Sequence, residues 1–298
     1  MDLSGVFSAL TTPFSSDGSV SLADLKHNIQ QYNRTALAGY VVMGSTGESV
    51  LVSKSEWAGV LGAVKEMASR DKKLIAGTGA ESTAETIERT KQAAELGYDA
   101  ALVKTPYYYK PAYKLEVYLQ HYRRVADASP IPVLLYSVPQ FTGVALESPE
   151  VSRLAEHPNI VGIKESSGNV QRIAEIIASV PRDFQVLVGS ASTVYPSLTI
   201  GARGAILALG SALPEKCVEL YELFRKGPDE RAREVQLVIL RASKLVVSEC
   251  GIAGVKYVMD QRGYRGGLPR LPLLPLQDEQ KKRLNALLET LEPAAVRA

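Results

Sequence analysis

Short β-branched runs alternate with stretches of helical period along most of the chain, and this alternation constrains the fold more than any other feature. Strand-like runs occupy 6–12, 39–43, 73–77, 100–105, 132–138, 160–164, 184–189 and 205–209. Helical patterns lie between them at 22–37, 54–68, 83–96, 115–126, 151–156, 170–177 and 194–200. Successive strands joined through helices pair in parallel, and a parallel sheet needs helices on its faces. Eight such units over about 210 residues fit an α/β fold closed into a (β/α)₈ TIM barrel. Beyond 209 the pattern is helical only, at 214–224, 229–248, 253–260 and 278–291, with the Gly/Pro-rich 263–275 as a loop. The first of these helices completes the barrel. We therefore expect a barrel over 1–225 and a small C-terminal helical extension over 226–298, joined in one unit without a linker.

Charge narrows the partners. The 298 residues carry 34 basic and 32 acidic side chains, a formal net charge of +2, with no long single-sign run. Nothing here resembles a footprint for nucleic acid or an anionic membrane, so small molecules and further copies of the chain are the expected partners. No window approaches the ~18 apolar residues of a membrane span, and the N-terminus lacks a basic segment followed by an apolar one, so a cytoplasmic protein is expected. Cys217 and Cys250 stand alone and read as buried thiols; His27, His121 and His157 are too scattered for a metal site. We expect neither a metal nor a dissociable cofactor.

In barrels of this kind catalytic groups project from the C-terminal ends of the strands. That rule selects Thr11 and Thr12, the segment 44–48, 105–108, Tyr136, Lys164, Gly189 with Ser190, and Gly210 with Ser211. Lys164 closes the apolar run IVGIK. A buried amine must find a counter-charge or give up its proton, and a neutral amine attacks a ketone to form a Schiff base. Alternatively the side chain snorkels to solvent. Lys104, ending ALVK, has the same shape and is a rival nucleophile. Tyr136 ends the preceding strand, within reach of Lys164 in a sequentially wound barrel, and a phenol in a hydrogen-bonded relay with Ser45 and Tyr108 can move protons. The tyrosines at 107–109 also read as a packing or self-association patch. The GSTGES segment from Gly44 joins a strand to a helix and offers backbone amides with the Ser45 and Thr46 hydroxyls as an anion cradle, or else simply caps that helix. Glu48 and Glu165 could form a carboxylate pair, but each adjoins a cationic or amide-rich site and reads rather as a structural partner. Gly189 with Ser190 and Gly210 with Ser211 sit where barrels often hold phosphate, although no basic residue follows either pair closely.

Together, ALTTPF from Ala9, GSTGES from Gly44, AGTGA from Ala76, TPYYYKP from Thr105, YSVP from Tyr136 and GIKESSGN from Gly162 resemble the dihydrodipicolinate synthase and N-acetylneuraminate lyase family of class I pyruvate aldolases. The resemblance runs nearly the whole length of the chain. It implies that Lys164 is the Schiff-base lysine, rather than Lys104, and that Tyr136 is the proton-transferring phenol. It further implies that Ser45 and Tyr108 complete the relay, Tyr108 reaching in from a neighbouring subunit of a homotetramer built as a dimer of dimers. Ser45 and Thr46 would hold the pyruvate carboxylate, with Gly189 and Ile206 lining the pocket. One position departs from the pattern: Phe141 stands where dihydrodipicolinate synthases carry an arginine for the aldehyde's carboxylate, and phenylalanine cannot make that charge-assisted contact. YSVP, the threonine-glycine that follows and the serine after KE look more like the 4-hydroxy-2-oxoglutarate aldolases, with Ser166 or Thr46 holding the distal carboxylate. Lys54 and Trp57 stand where some synthases have histidines at a lysine-binding regulatory site. The expected activity is cleavage of 4-hydroxy-2-oxoglutarate to pyruvate and glyoxylate. The alternatives are 4-hydroxy-tetrahydrodipicolinate synthesis from pyruvate and aspartate semialdehyde, then sugar-acid dehydration or sialic acid cleavage, and, in another class, a non-catalytic 2-oxo acid binding protein.

Overall fold

Each strand-like run forms a strand in the computed structural model, which describes residues 1–291; the end of the expected extension, 292–298, lies outside the described residues. The strands are β1 Gly5–Ala9, β2 Gly39–Val42, β3 Lys73–Gly77, β4 Ala100–Lys104, β5 Val133–Ser137, β6 Ile160–Glu165, β7 Gln185–Val188 and β8 Gly204–Leu207. They pair in parallel in chain order, and β8 returns to β1 to close a TIM barrel. Side chains alternate along a strand. One set, including Phe7, Val41, Ile75, Leu102, Leu134, Leu187 and Ile206, fills the barrel interior. The other set, including Val103, Val133, Leu135 and Val186, faces the helices and forms the larger outer core. Truncating any of these buried Leu, Ile or Val side chains removes transfer energy and leaves a cavity, at about 2–5 kcal/mol for Leu or Ile to Ala.

Register decides what reaches the mouth. Lys104, Tyr136 and Lys164 are Cα partners on β4, β5 and β6. Lys104 and Tyr136 each lie two residues beyond an inward leucine, Leu102 and Leu134, and Lys164 takes the matching place on β6. All three side chains therefore enter the barrel at its C-terminal rim.

The helical pattern holds in outline and fails in detail. Two four-residue helices, Pro139–Thr142 and Leu209–Ala212, escape a periodicity reading because one turn carries no period. The stretch 229–248 is not one α-helix. It winds as an α-helix over Glu230–Ala242 and then as a π-helix over Ser243–Glu249, followed by a helix over Gly251–Gln261. The loop after that helix runs back to the first strand's exit, where Leu268 bridges Phe14, and Asp278–Leu291 forms the expected final helix. Among the described residues no helix is long and apolar enough to cross a membrane.

Cys217 and Cys250 are free and buried, and burial pushes the Cys217 thiol up to about 12. His121 is also enclosed, its Nδ1 2.9 Å from the Thr83 hydroxyl. Burial, with some help from the Lys104 charge and some opposition from Glu81, pulls its pKa down to about 4. An unfolded histidine titrates near pH 6.5, so between pH 6.5 and 4 the unfolded chain binds more protons and stability falls as pH falls. Replacing His121 with Gln should remove roughly 1–3 kcal/mol of that acid sensitivity. Urea midpoints at pH 7 and pH 4.5 measure it, and equal losses in both proteins would refute the assignment.

Candidate active site

Lys164 is 4% exposed, and its Nζ lies 4.3 Å from the centre of the Tyr136 ring. Among the described residues it has no hydrogen-bond or ion-pair partner, so the snorkelling alternative fails: the amine is enclosed and uncommitted. Tyr136 is buried too, and its phenolic oxygen lies 3.4 Å from the Ser45 hydroxyl. That is longer than the usual 2.7–2.8 Å between hydroxyls, as contacts in a catalytic relay often are before substrate draws them together.

The loop carrying Ser45 is shaped by two left-handed residues that are not glycine, Met43 at φ 59° and Glu48 at φ 55°. Such conformations cost about 1–3 kcal/mol each and persist only where the surroundings impose them. Several contacts do so. The Thr12 hydroxyl donates to the Gly47 carbonyl at 2.7 Å, and the Glu48 amide donates to the Ser45 carbonyl at 3.1 Å. Below the loop, a Cβ at Gly77 would stand 2.1 Å from the Met43 carbonyl oxygen, so only glycine lets β3 pass so near. Ser45 and Thr46 do not cap the following helix. Ser53 does that, in a capping box with Glu56, which leaves both hydroxyls on the cavity wall.

Opposite the cradle, Gly189 follows β7 and is packed so closely that a Cβ would fall 2.7 Å from the Cβ of Ser166. Ser166 is buried, and its hydroxyl has no hydrogen-bond partner among the described residues. With Ser45, Thr46, Tyr136 and Lys164 these residues enclose a cavity of about 260 Å³. Ile206 faces the barrel interior from β8 without bordering that cavity. Three polar side chains on the wall escape a reading of the sequence: Gln140, whose amide donates to the Ser166 carbonyl, and Ser243 and Ser248 from the π-helix. Single π-turns inside α-helices often mark functional sites, but a wide turn has no signature in residue spacing. Phe141 stands at the rim, 67% exposed.

Other candidates are drawn elsewhere. Lys104 turns its Nζ to the Gly79 carbonyl at 3.0 Å and borders an adjoining compartment rather than the Lys164 cavity. Tyr108 is 73% exposed, edge-to-face on Tyr109, and within one chain does not join Ser45 and Tyr136. The backbone amides of Tyr107 and Tyr108 both donate to Glu81, which holds that loop outward. Ser211 is fully buried on Ser8 and the Ala9 carbonyl, so the glycine-serine pair at 210–211 is structural; Ser190 does border the cavity. Glu165 accepts from the Ser167 amide and hydroxyl, and burial raises its pKa against those bonds. Glu48 pairs with Lys256 at 2.6 Å, both essentially unexposed, so the two carboxylates are structural as expected and do not form a pair.

The sequence pattern of the dihydrodipicolinate synthetase family matches residues 2–291. This chain belongs to that family. It is 37% identical over 285 residues to the 4-hydroxy-tetrahydrodipicolinate synthase of an Exiguobacterium species, covering 96% of this chain and 97% of the relative. The enzyme of the same name from Methanothrix thermoacetophila is also 37% identical, over 95% of each chain. A dihydrodipicolinate synthase from Bacillus anthracis superposes with a TM-score of 0.93 at 30% identity, over 98% of this chain and all of that one. The chloride-inhibited synthase of Acinetobacter baumannii, solved with pyruvate, gives 0.91 at 34% identity over 96% and 98% of the two chains. The dihydrodipicolinate synthetase family comprises class I, pyruvate-dependent lyases and synthases that work through a lysine Schiff base. The chain is accordingly an enzyme of that class, and the non-catalytic alternative is set aside.

Proposed function

We propose that Lys164 condenses with the ketone of pyruvate, releasing water and leaving an imine, and that the derived enamine adds to an aldehyde. The observation carrying this reading is the enclosed, unpartnered Lys164 nitrogen against the Tyr136 ring. Tyr136 passes protons to and from the carbinolamine oxygen, relayed through Ser45, while Ser45 and Thr46 hold the pyruvate carboxylate and Gly189 shapes the pocket around it; Ile206, expected beside them, packs in the barrel interior instead. In this reading Tyr108 completes the relay from a neighbouring subunit of a homotetramer, and its outward position supports that role.

For the second reactant, the names of the relatives support aspartate semialdehyde and hence the 4-hydroxy-tetrahydrodipicolinate synthase reaction, above the 4-hydroxy-2-oxoglutarate cleavage expected from sequence. The cleavage stands as a second reading because Phe141 puts an uncharged ring at the rim, where a shorter reactant needs no guanidinium. Rates of condensation of pyruvate with aspartate semialdehyde, set against pyruvate release from 4-hydroxy-2-oxoglutarate, decide between the two. Faster release would overturn the synthase reading.

Replacing Tyr136 with Phe separates imine chemistry from proton transfer. Turnover is expected to fall roughly 10²–10⁴-fold, the usual contribution of a positioned acid or base, while borohydride still traps pyruvate on long incubation. Unchanged turnover would remove Tyr136 from the mechanism.

A further inference from the structure

Two compartments share the barrel mouth. The inner one, about 260 Å³, holds Lys164 and Tyr136; the outer, about 520 Å³, extends past Phe141 toward Leu273 and Leu274. Ser45, Thr46, Val138 and Phe141 border both, so the two compartments adjoin at the mouth. The outer walls are mainly apolar. Among the described residues bordering either compartment, the cationic side chains are Lys164 and Lys104.

We propose that Lys104 binds the carboxylate of the second reactant, so that the outer compartment selects aldehydes ending in an acid group. This deepens the Schiff-base reading and rests on it. Lys104 and Lys164 flank Tyr136 on consecutive strands, and at ~4.8 Å between strands their backbones stand roughly 10 Å apart with both side chains pointing inward. An ammonium has three donors. The Gly79 carbonyl takes one at 3.0 Å. The Glu81 carboxylate is 3.9 Å away, beyond hydrogen-bond distance, and its other oxygen already accepts two backbone amides. Donor capacity therefore remains on a side chain that is only 13% exposed. Burial lowers the Lys104 pKa, with Glu81 opposing only in part. Glu81 pairs with Lys104 only at this long range, so a carboxylate arriving in the outer compartment can take the remaining donors directly, and the apolar walls strengthen the contact by excluding water.

The test uses the full chain, pyruvate, and two probes with the same aldehyde chain, 4-oxobutanoate and its methyl ester. For the wild type, kcat/KM for condensation is expected to be ~10- to 100-fold higher with the acid, the worth of one charged hydrogen bond. Lys104→Met should remove that preference by lowering the acid rate and leaving the ester rate nearly constant. Lys104→Arg should keep most of it. Borohydride trapping of pyruvate, mapped to Lys164, reports imine formation in each protein. Absence of the adduct in the wild type overturns the Schiff-base reading and this one with it. An adduct together with equal use of acid and ester by the wild type, no condensation with either probe, or an acid preference that survives in Lys104→Met overturns the Lys104 assignment alone. Should Lys104→Met fail to fold, Lys104→Gln takes its place and, with the wild-type comparison of acid and ester, decides the assignment by the same outcomes.

Discussion

Lys164→Ala is expected to abolish the borohydride-trapped pyruvate adduct and to lower turnover by roughly 10⁴-fold or more, because covalent catalysis is lost as a route and not merely weakened. The substitution should leave the fold intact. Lys164 makes no ion pair or hydrogen bond among the described residues, so no partner is orphaned when it goes. Nor can Lys104 take over. Its nitrogen is held on the Gly79 carbonyl and faces the outer compartment. Peptide mapping of the reduced adduct checks the result: an adduct in Lys164→Ala, or one on Lys104 in the wild type, would sink the assignment. Lys164→Arg is a useful companion, since it restores a cation without an amine that forms an imine and should be as inactive as alanine.

Lys256→Met is expected to destabilise the protein by about 3–5 kcal/mol, the usual result of removing one member of a buried ion pair. Melting should fall by roughly 5–10 °C in a chain of this length. Lys256 is fully buried, 2.6 Å from Glu48, donates to the Leu268 carbonyl at 2.8 Å, and stacks its ammonium on the Phe14 ring. Arg270 sits over the same ring, donates its own backbone amide to Glu48 and forks onto Glu56. Removing the ammonium leaves the Glu48 carboxylate dry and short of charge. The double replacement Glu48→Gln with Lys256→Met should recover at least half of the lost stability, because a neutral pair has little to desolvate. Calorimetry of the single and double variants decides it, and additive losses would refute the coupling.

Much of the barrel is legible in the sequence because alternation at period two and at period 3.6 leaves long traces, and all eight runs are strands. Sequential winding then makes Lys164 and Tyr136 neighbours, and the register bears that out. Spacing cannot reveal what the C-terminal residues bring. Ser243 and Ser248 reach the cavity through a π-turn, and Lys256 meets Glu48 across 208 positions of chain, which nothing local encodes. A trace of Lys256 does exist, as the single lysine within the otherwise largely apolar helix Gly251–Gln261. Tyr108 reads as part of a relay, yet one chain by itself holds it outside. The cradle's hydroxyls suit either an anion or a helix cap, and the Ser53 capping box removes the second use.

The π-turn over Ser243–Glu249 also decides which residues of its segment share a side. An α-helix advances about 100° per residue and sets residues five apart roughly 140° from one another, whereas the wider π-turn, with its i→i+5 bonds, brings them back to one side. Ser243 and Ser248 are such a pair, and both border the cavity. Substitutions that favoured regular winding would therefore part the two hydroxyls even with both serines in place.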